Sequence, residues 1–288
     1  MSPSDGVAVI DKEAGWTSHD VVAKARGVFG TRKVGHAGTL DPDATGVLLL
    51  GVGRATRLLR FLSPLTKQYL GEMVLGAETS TLDASGDVTA VYDMSQVTPE
   101  EVADAAAGFV GEIMQVPPMV SAVRVGGRRL HELAREGLEV EREPRKVLVH
   151  ELAVAPLDAG AGVYRMEVRC SSGTYIRSLA ADIGSALGGG GHLRALRRVA
   201  IGSFSVEQAR PVDAPELLSM ADALRDYPSV SVADALGRRV GDGQVLDADE
   251  LAVVGEGPWV VLGPQGQLLA VYETHRPGVV KPAVVIPG

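Results

Sequence analysis

Short apolar runs broken by glycine and proline, rather than long periodic segments, set the pattern of this chain. Gly6–Asp11 (GVAVID) and Val47–Val52 (VLLLGV) are continuous apolar runs of strand length, as buried strands show. Lys67–Leu75 alternates enough to predict a strand, and Lys146–Ala155 and Val163–Cys170 read as strands that lead to a helix. Helical spacing appears at Val21, Val22, Ala25, Val28 and Phe29, with Thr17 or Ser18 as cap and Gly30 as stop. Thr98-Pro99-Glu100-Glu101 joins a threonine cap, a proline at the first helical position and a glutamate at the third. It predicts a helix from there to about Val110. Further helices are predicted at Arg54–Leu62, Arg129–Arg135, Thr174–Leu187 and Pro215–Arg225. Met119–Val125 reads as a strand before a Gly126-Gly127 turn, and Gly35–Gly46 as a glycine-dense loop.

Strands and helices interleave, hairpin signals recur and no regular βαβ series appears. That order predicts an α+β fold with a mixed, largely antiparallel central sheet flanked by helices. Composition changes near Pro211, and short β-rich pieces punctuated by glycine and proline follow. The expected division is a domain over 1–227 and a small β-rich one over 228–288.

Composition narrows the chemistry. The chain has 288 residues, 45% hydrophobic and 22% charged, which is ordinary for a globular protein. The lone cysteine, Cys170, excludes an intramolecular disulfide and a Cys-based zinc site. The six histidines are scattered with no pair at i, i+3 or i, i+4, so no metal is expected. Met1–Asp20 lacks a basic stretch followed by an apolar core, and no apolar run nears the ~20 residues of a spanning helix. A cytoplasmic protein with no membrane partner is expected.

The formal net charge is −8, yet its distribution is uneven. Residues 1–60, 115–150 and 160–211 carry +2, +2 and +4, while 61–114, 151–159 and 212–288 carry −8, −2 and −6. Three basic segments, mostly arginine, could form one face for phosphates or a solvated surface.

Within Gly35–Gly46, Pro42 biases Asp41 toward an extended backbone and so sets where its side chain leaves the chain. A carboxylate held there can serve as nucleophile, general base or charge partner, or simply initiate an Asp-Pro turn. His36 could act as acid, base or orienting group, or lie on the surface. Tyr69 could stack on a planar ligand or pack in the core. Arg177, in the first turn of a helix, could pair with a carboxylate or face solvent. Gly191–Arg198 carries three arginines in five residues, a phosphate clamp or a soluble edge. No Walker A sequence, G-x-S-x-G elbow or complete G-x-G-x-x-G occurs.

As a set these segments carry a specific signal. Gly35–Leu59 (GHAGTLDPDATGVLLLGVGRATRLL) resembles the signature of the TruB family of bacterial tRNA pseudouridine synthases. Asp11-Lys12 with Gly15-Trp-Thr-Ser18, Lys67-Gln-Tyr69, Gly173-Thr-Tyr-Ile-Arg177 and His192 through Leu196-Arg197-Arg198 match in the same order. Pro117–Ala122 with Gly127–Leu130 is similar to the family's substrate-facing insert. The resemblance spans roughly residues 6–210. Glu13 stands where the family usually has proline, and Ser80 replaces an acidic residue often found before Asp83.

The resemblance implies the pseudouridine synthase fold, a PUA-like C-terminal module, and cofactor-free, metal-free isomerisation of a T-loop uridine, tRNA position 55, to pseudouridine. It implies Asp41 as catalytic nucleophile, with Arg177 as its ion-pair partner and Tyr69 stacked on the uracil. Tyr175 and Leu196 would line the base pocket, Asp83 would contact the flipped nucleotide, and His36 would fill the space the base leaves. Phosphate contacts are expected from Lys12, Arg54, Arg128, Arg129, Arg197 and Arg198. The expected partner is the T-arm of tRNA, bound by a monomer with no obligatory protein partner. A non-catalytic tRNA-binding or tRNA-folding protein on the same scaffold is the alternative. A guide-RNA-dependent relative of the dyskerin type is disfavoured by the 117–130 segment and the short tail.

Overall fold

A computed structural model describes residues 5–121, 123–138 and 140–286; the side chains of Arg124, Arg129, His131 and Arg135 lie outside the description. In chain order the elements are β1 (Gly6–Lys12), α1 (Ser18–Val28), β2 (Val34–Ala37), β3 (Thr45–Val52), α2 (Leu59–Leu62), β4 (Lys67–Leu75), β5 (Ala77–Thr79) and β6 (Val88–Val91). Next come α3 (Pro99–Ala107), β7 (Gly111–Gln115), β8 (Arg124–Val125), β9 (Arg128–Arg129), α4 (Leu130–Arg135), β10 (Arg145–Asp158), β11 (Val163–Cys170), α5 (Ile176–Ala186) and β12 (Gly191–Ile201). The chain closes with β13 (Phe204–Ser205), β14 (Leu217–Leu218), β15 (Ser229–Ser231), α6 (Asp234–Gly241), β16 (Leu246–Asp247), β17 (Trp259–Leu262), β18 (Leu268–Arg276) and β19 (Val279–Val285). The fold is α+β. Two compact units emerge: residues 1–42, 46–64 and 202–288, and residues 43–45 and 65–201.

In the first unit β3 lies between β1 and β2, with β14 on the other edge of β1, all antiparallel. Burial of β3 from Gly46 onward explains its unbroken apolar run. Helix α1 starts at a capping box in which Thr17 Oγ1 accepts from Asp20 N–H and the Asp20 carboxylate accepts from Thr17 N–H. Its Val21, Val22 and Ala25 pack on Ala8, Ile10, Leu48 and Leu50. The same unit holds the β-rich C-terminal domain, a sheet in the order β15-β17-β18-β19-β16. That sheet has its own core around Val240, Trp259, Val261 and Tyr272.

The second unit is an antiparallel sheet in the order β12-β4-β11-β10-β7. Met73, Tyr164, Met166, Val168 and Leu193 face Val102 and Ala106 of α3 and Ile176, Leu179 and Ile183 of α5. The alternate positions Gln68, Leu70, Arg165, Glu167 and Arg169 are exposed. This is why β4 and β11 alternate in sequence: only one face is covered by helices.

Several expectations are corrected. Gly35–Ala37, placed in a loop, belongs to the strand Val34–Ala37 because its backbone pairs with Leu49–Gly51, although glycine hides the usual apolar signal. Among the described residues of Met119–Val125, Arg124–Val125 is strand. The chain turns where Ser121 N–H reaches Met119 O at 3.0 Å, and Val120 O is taken by an arginine side chain. Pro215–Arg225 is not a helix. Leu217 and Leu218 pair with Ala8 and Val7, and a 3₁₀ turn at Asp222–Leu224 follows, with Ser219 Oγ accepting from Asp222 N–H. Helix α6, absent from the sequence reading, carries its buried Val240 within a glycine- and arginine-rich stretch.

Candidate active site

The loop that carries Asp41 is held on both sides of that residue by one segment of the same unit. Ser18 Oγ accepts from Leu40 N–H at 2.9 Å and lies 3.1 Å from Leu40 O, to which it donates. On the other side, Pro42 O accepts from Lys12 Nζ at 2.8 Å and from Gly15 N–H at 3.0 Å. Lys12 Nζ also donates to Trp16 O at 2.7 Å and Glu13 O at 2.9 Å. Asp41, half-buried between these anchors, has its backbone direction set by hydrogen bonds on both flanks as well as by Pro42. His36 is half-buried on β2, its ring edge-on to His19 with centroids 5.4 Å apart.

The second unit organises Arg177. This residue sits in the first turn of α5 and is 3% exposed. Its Nη1 donates to Thr81 O at 3.0 Å and lies 3.3 Å from Asp83 Oδ2, while Nη2 donates to Val120 O at 2.8 Å. Asp83 Oδ1 accepts from Thr81 Oγ1 and Ser85 Oγ, each at 2.6 Å, and from Ser85 N–H at 3.1 Å. The turn before Asp83 places Leu82 at φ 61°, a left-handed conformation costly for leucine. Hydrogen bonds from Leu193 N–H to Leu82 O and from Ala84 N–H to Leu193 O pin it. Gly86 is required beside it, because a β-carbon there would lie 2.7 Å from Thr81 N. A planar guanidinium spread over two carbonyls and one carboxylate is fixed in orientation, so it offers a directed positive field rather than a mobile charge.

Tyr69 of β4 and Leu196 of β12 both pack, partly buried, on the core cluster that contains Ile176, Leu179 and Ile183 of α5. They therefore share the helix-bearing face of the sheet. Tyr175 is the residue before α5, half-buried and extended at φ −97°, ψ 110°. That conformation starts the helix two residues later than the sequence suggests. Gln115 was missed by sequence reading: it is 1% exposed, and its amide binds both polar groups of Tyr175's backbone. The usable signal is its place at an inward position of the alternating strand GEIMQ, where an amide must find partners.

The expected phosphate contacts divide. Lys12 and Arg198 are each 1% exposed, and the Lys12 ammonium is committed to the carbonyls of Glu13, Trp16 and Pro42. Arg54 pairs with Asp5 and Arg128 with Glu136; both remain exposed. Arg197 is half-buried and donates to Thr45 Oγ1 at 3.2 Å. The side chain of Arg129 lies outside the described residues. Lys67, at the start of β4 and 4% exposed, has its pKa brought down to about 8 by burial and by nearby Arg198.

The structure matches a crystal structure of a Cbf5-Nop10-Gar1 complex with a TM-score of 0.75 and 27% identity, over 98% of this chain and 85% of the other. The sequence profile of the TruB family pseudouridylate synthase N-terminal domain matches residues 26–176. That of the tRNA pseudouridylate synthase B C-terminal domain matches residues 177–236. Fold and sequence together define an isomerase of the pseudouridine synthase class. A tRNA pseudouridine synthase B of Streptomyces coelicolor is 46% identical over 284 residues, 94% of both chains. One of Rhodococcus jostii is 49% identical over 259 residues, 88% of this chain and 82% of its own. The chain belongs to the TruB family.

Proposed function

We propose that this protein converts the uridine at position 55 in the T-loop of tRNA to pseudouridine, with Asp41 as the nucleophilic carboxylate. The observation that carries the reading is the double anchoring of Asp41's neighbours, Leu40 by Ser18 and Pro42 by Lys12 and Gly15. A carboxylate on a loop fixed at both ends spends little entropy on reaching its reacting geometry. The names of the curated relatives, each a tRNA pseudouridine synthase B, support tRNA as the substrate.

In this reading the target uridine leaves its stack, because its glycosidic bond is out of reach inside a folded loop. Tyr69 stacks on the uracil, Tyr175 and Leu196 line the base, and Arg177 keeps the carboxylate charged. Asp83, through its tie to Arg177, steadies that guanidinium and meets the flipped nucleotide, and His36 fills the space the base leaves. Asp41 acts either by attack on ribose C1′ or along a glycal route. In both, the N1–C1′ bond breaks, a C5–C1′ bond forms, the C5 proton is released to solvent and N1 takes up a proton, so the product is an isomer of the substrate. Arg54, Arg128, Arg129 and Arg197 meet phosphates, so affinity falls steeply with salt. Residues 228–288 act as a separate PUA-like module, a reading supported by their own sheet and core. No cofactor or protein partner enters this scheme.

Release of tritium from tRNA labelled at uracil C5 tests it. Wild type should release label with one pseudouridine formed per tRNA at position 55, and Asp41→Asn should abolish release. Full turnover by the Asn variant removes Asp41 from the reaction. Stoichiometric binding without release favours a tRNA-folding protein instead.

A further inference from the structure

We propose that Gln115 is a positioning residue of the reaction, holding the Tyr175 backbone so that Tyr175 and Arg177 enter the uracil site in one orientation. The proposal rests on the assignment of Tyr175 and Arg177 to that site.

Gln115 is the last residue of β7 and lies at an inward position of that strand. Its Oε1 accepts from Tyr175 N–H at 2.7 Å, and its Nε2 donates to Tyr175 O at 3.0 Å. One amide thus occupies both polar groups of a single residue 60 positions away in sequence. Only one orientation of the amide works. Turned over, it would set NH₂ against N–H and oxygen against oxygen. Tyr175 O also accepts from Leu179 N–H at 3.1 Å, the first bond of α5, so the clamp sets where the helix begins. No side chain caps α5 at Tyr175 itself.

The residues after Gln115 extend this attachment. Ser178 Oγ donates to Val116 O at 3.1 Å and Arg177 Nη2 donates to Val120 O at 2.8 Å. The 115–120 segment therefore meets three of the first four residues from Tyr175 onward. The Gln115 contact differs from the other two because it fixes backbone rather than a side chain. Tyr175 and Arg177 leave that backbone two residues apart, so a shift of Tyr175 displaces both groups together. A misplacement of about 1 Å can cost on the order of 100-fold in rate while leaving the binding of remote parts of the substrate intact.

The chemistry of the contact supplies a signature that loss of stability alone would not produce. In Gln115→Glu, the ionised carboxylate accepts from Tyr175 N–H but repels Tyr175 O. Burial favours the protonated acid, which both accepts and donates as glutamine does. Activity should therefore return as pH falls. In Gln115→Met the shape is kept and both hydrogen bonds are lost at every pH.

The test measures turnover on an unmodified tRNA transcript, its Kd, and Tyr175 amide exchange in wild type, Gln115→Met and Gln115→Glu. Gln115→Met should lose about 10- to 100-fold in kcat with Kd held within about twofold, and Tyr175 N–H should exchange faster. The ratio of Gln115→Glu to wild-type kcat should rise severalfold from about pH 8 to about pH 6. Wild-type kcat in Gln115→Met, or a ratio flat with pH, overturns the proposal. If wild type itself makes no pseudouridine, the functional reading fails and the clamp is judged on amide exchange. Equal exchange in wild type and Gln115→Met then overturns it.

Discussion

Ser18 and Leu40, 22 residues apart, share a two-way hydrogen bond: the serine oxygen accepts from Leu40 N–H at 2.9 Å and donates to Leu40 O at 3.1 Å. Ser18 opens α1, while Leu40 immediately precedes Asp41, so the first turn of a rigid helix controls the approach to the carboxylate. Replacing Ser18 by alanine leaves both polar groups of a buried leucine without this partner. The expected cost is about 1–3 kcal/mol in stability. Urea unfolding should show the loss as a lower midpoint at constant m-value. Turnover on tRNA should fall by more than Kd rises.

Lys12 provides a distinction between clamp and phosphate ligand. Its ammonium is buried and donates to Glu13 O, Trp16 O and Pro42 O. Lys12→Met should destabilise the protein by about 1.5–3 kcal/mol, the range for hydrogen bonds to a charged group. The slope of log Kd for tRNA against log salt should stay at its wild-type value. Removal of a phosphate-binding lysine would instead lower that slope by about one.

Asp83 joins the hairpin turn to Arg177, with Oδ2 3.3 Å from Nη1. Asp83→Asn keeps the shape but removes the charge, and asparagine cannot accept at both oxygens as the carboxylate does. Partial exposure of Asp83 moderates the effect, so about 1–3 kcal/mol of destabilisation is expected. Thermal unfolding measures it. Accompanying loss of turnover would tie the turn to the orientation of Arg177.

Burial holds the pKa of Lys67 at about 8 in the folded protein, against 10.5 for an ordinary lysine. Below pH 8 both states are protonated, and the folded state bears the full cost of a buried cation. Between pH 8 and 10.5 the folded state has lost the proton while the unfolded state keeps it, so stability rises with pH. The stability difference between wild type and Lys67→Met should shift toward wild type by about 3 kcal/mol across that window. Urea midpoints at several pH values measure it, and a difference constant with pH would contradict the burial of this charge.

Local signals in the chain identify most elements. The Thr98 capping box, the alternation of β4 and β11 and the apolar run of β3 are written within a few residues each, and the structure has them at those places. The errors arise where distant partners decide. Gly35 and His36 carry no strand signal, yet β3 recruits them. Leu217 and Leu218 sit in a helix-like pattern, yet the edge of β1 takes them. Burial of basic residues is decided in the same way: Lys12 and Arg198 read as charged positions in the sequence, and only the fold covers them.

The amino-acid sequence alone determined the α+β class, the loop that presents Asp41 and membership of a family, because periodicity, turn chemistry and motif spacing are local properties. Tertiary structure decided which polar groups meet: Ser18 with Leu40, Lys12 with Pro42, Gln115 with Tyr175, and Arg177 with Asp83. Those pairings depend on burial. Away from water a donor or acceptor must find a partner in space, and neighbours along the chain do not specify which one it will be.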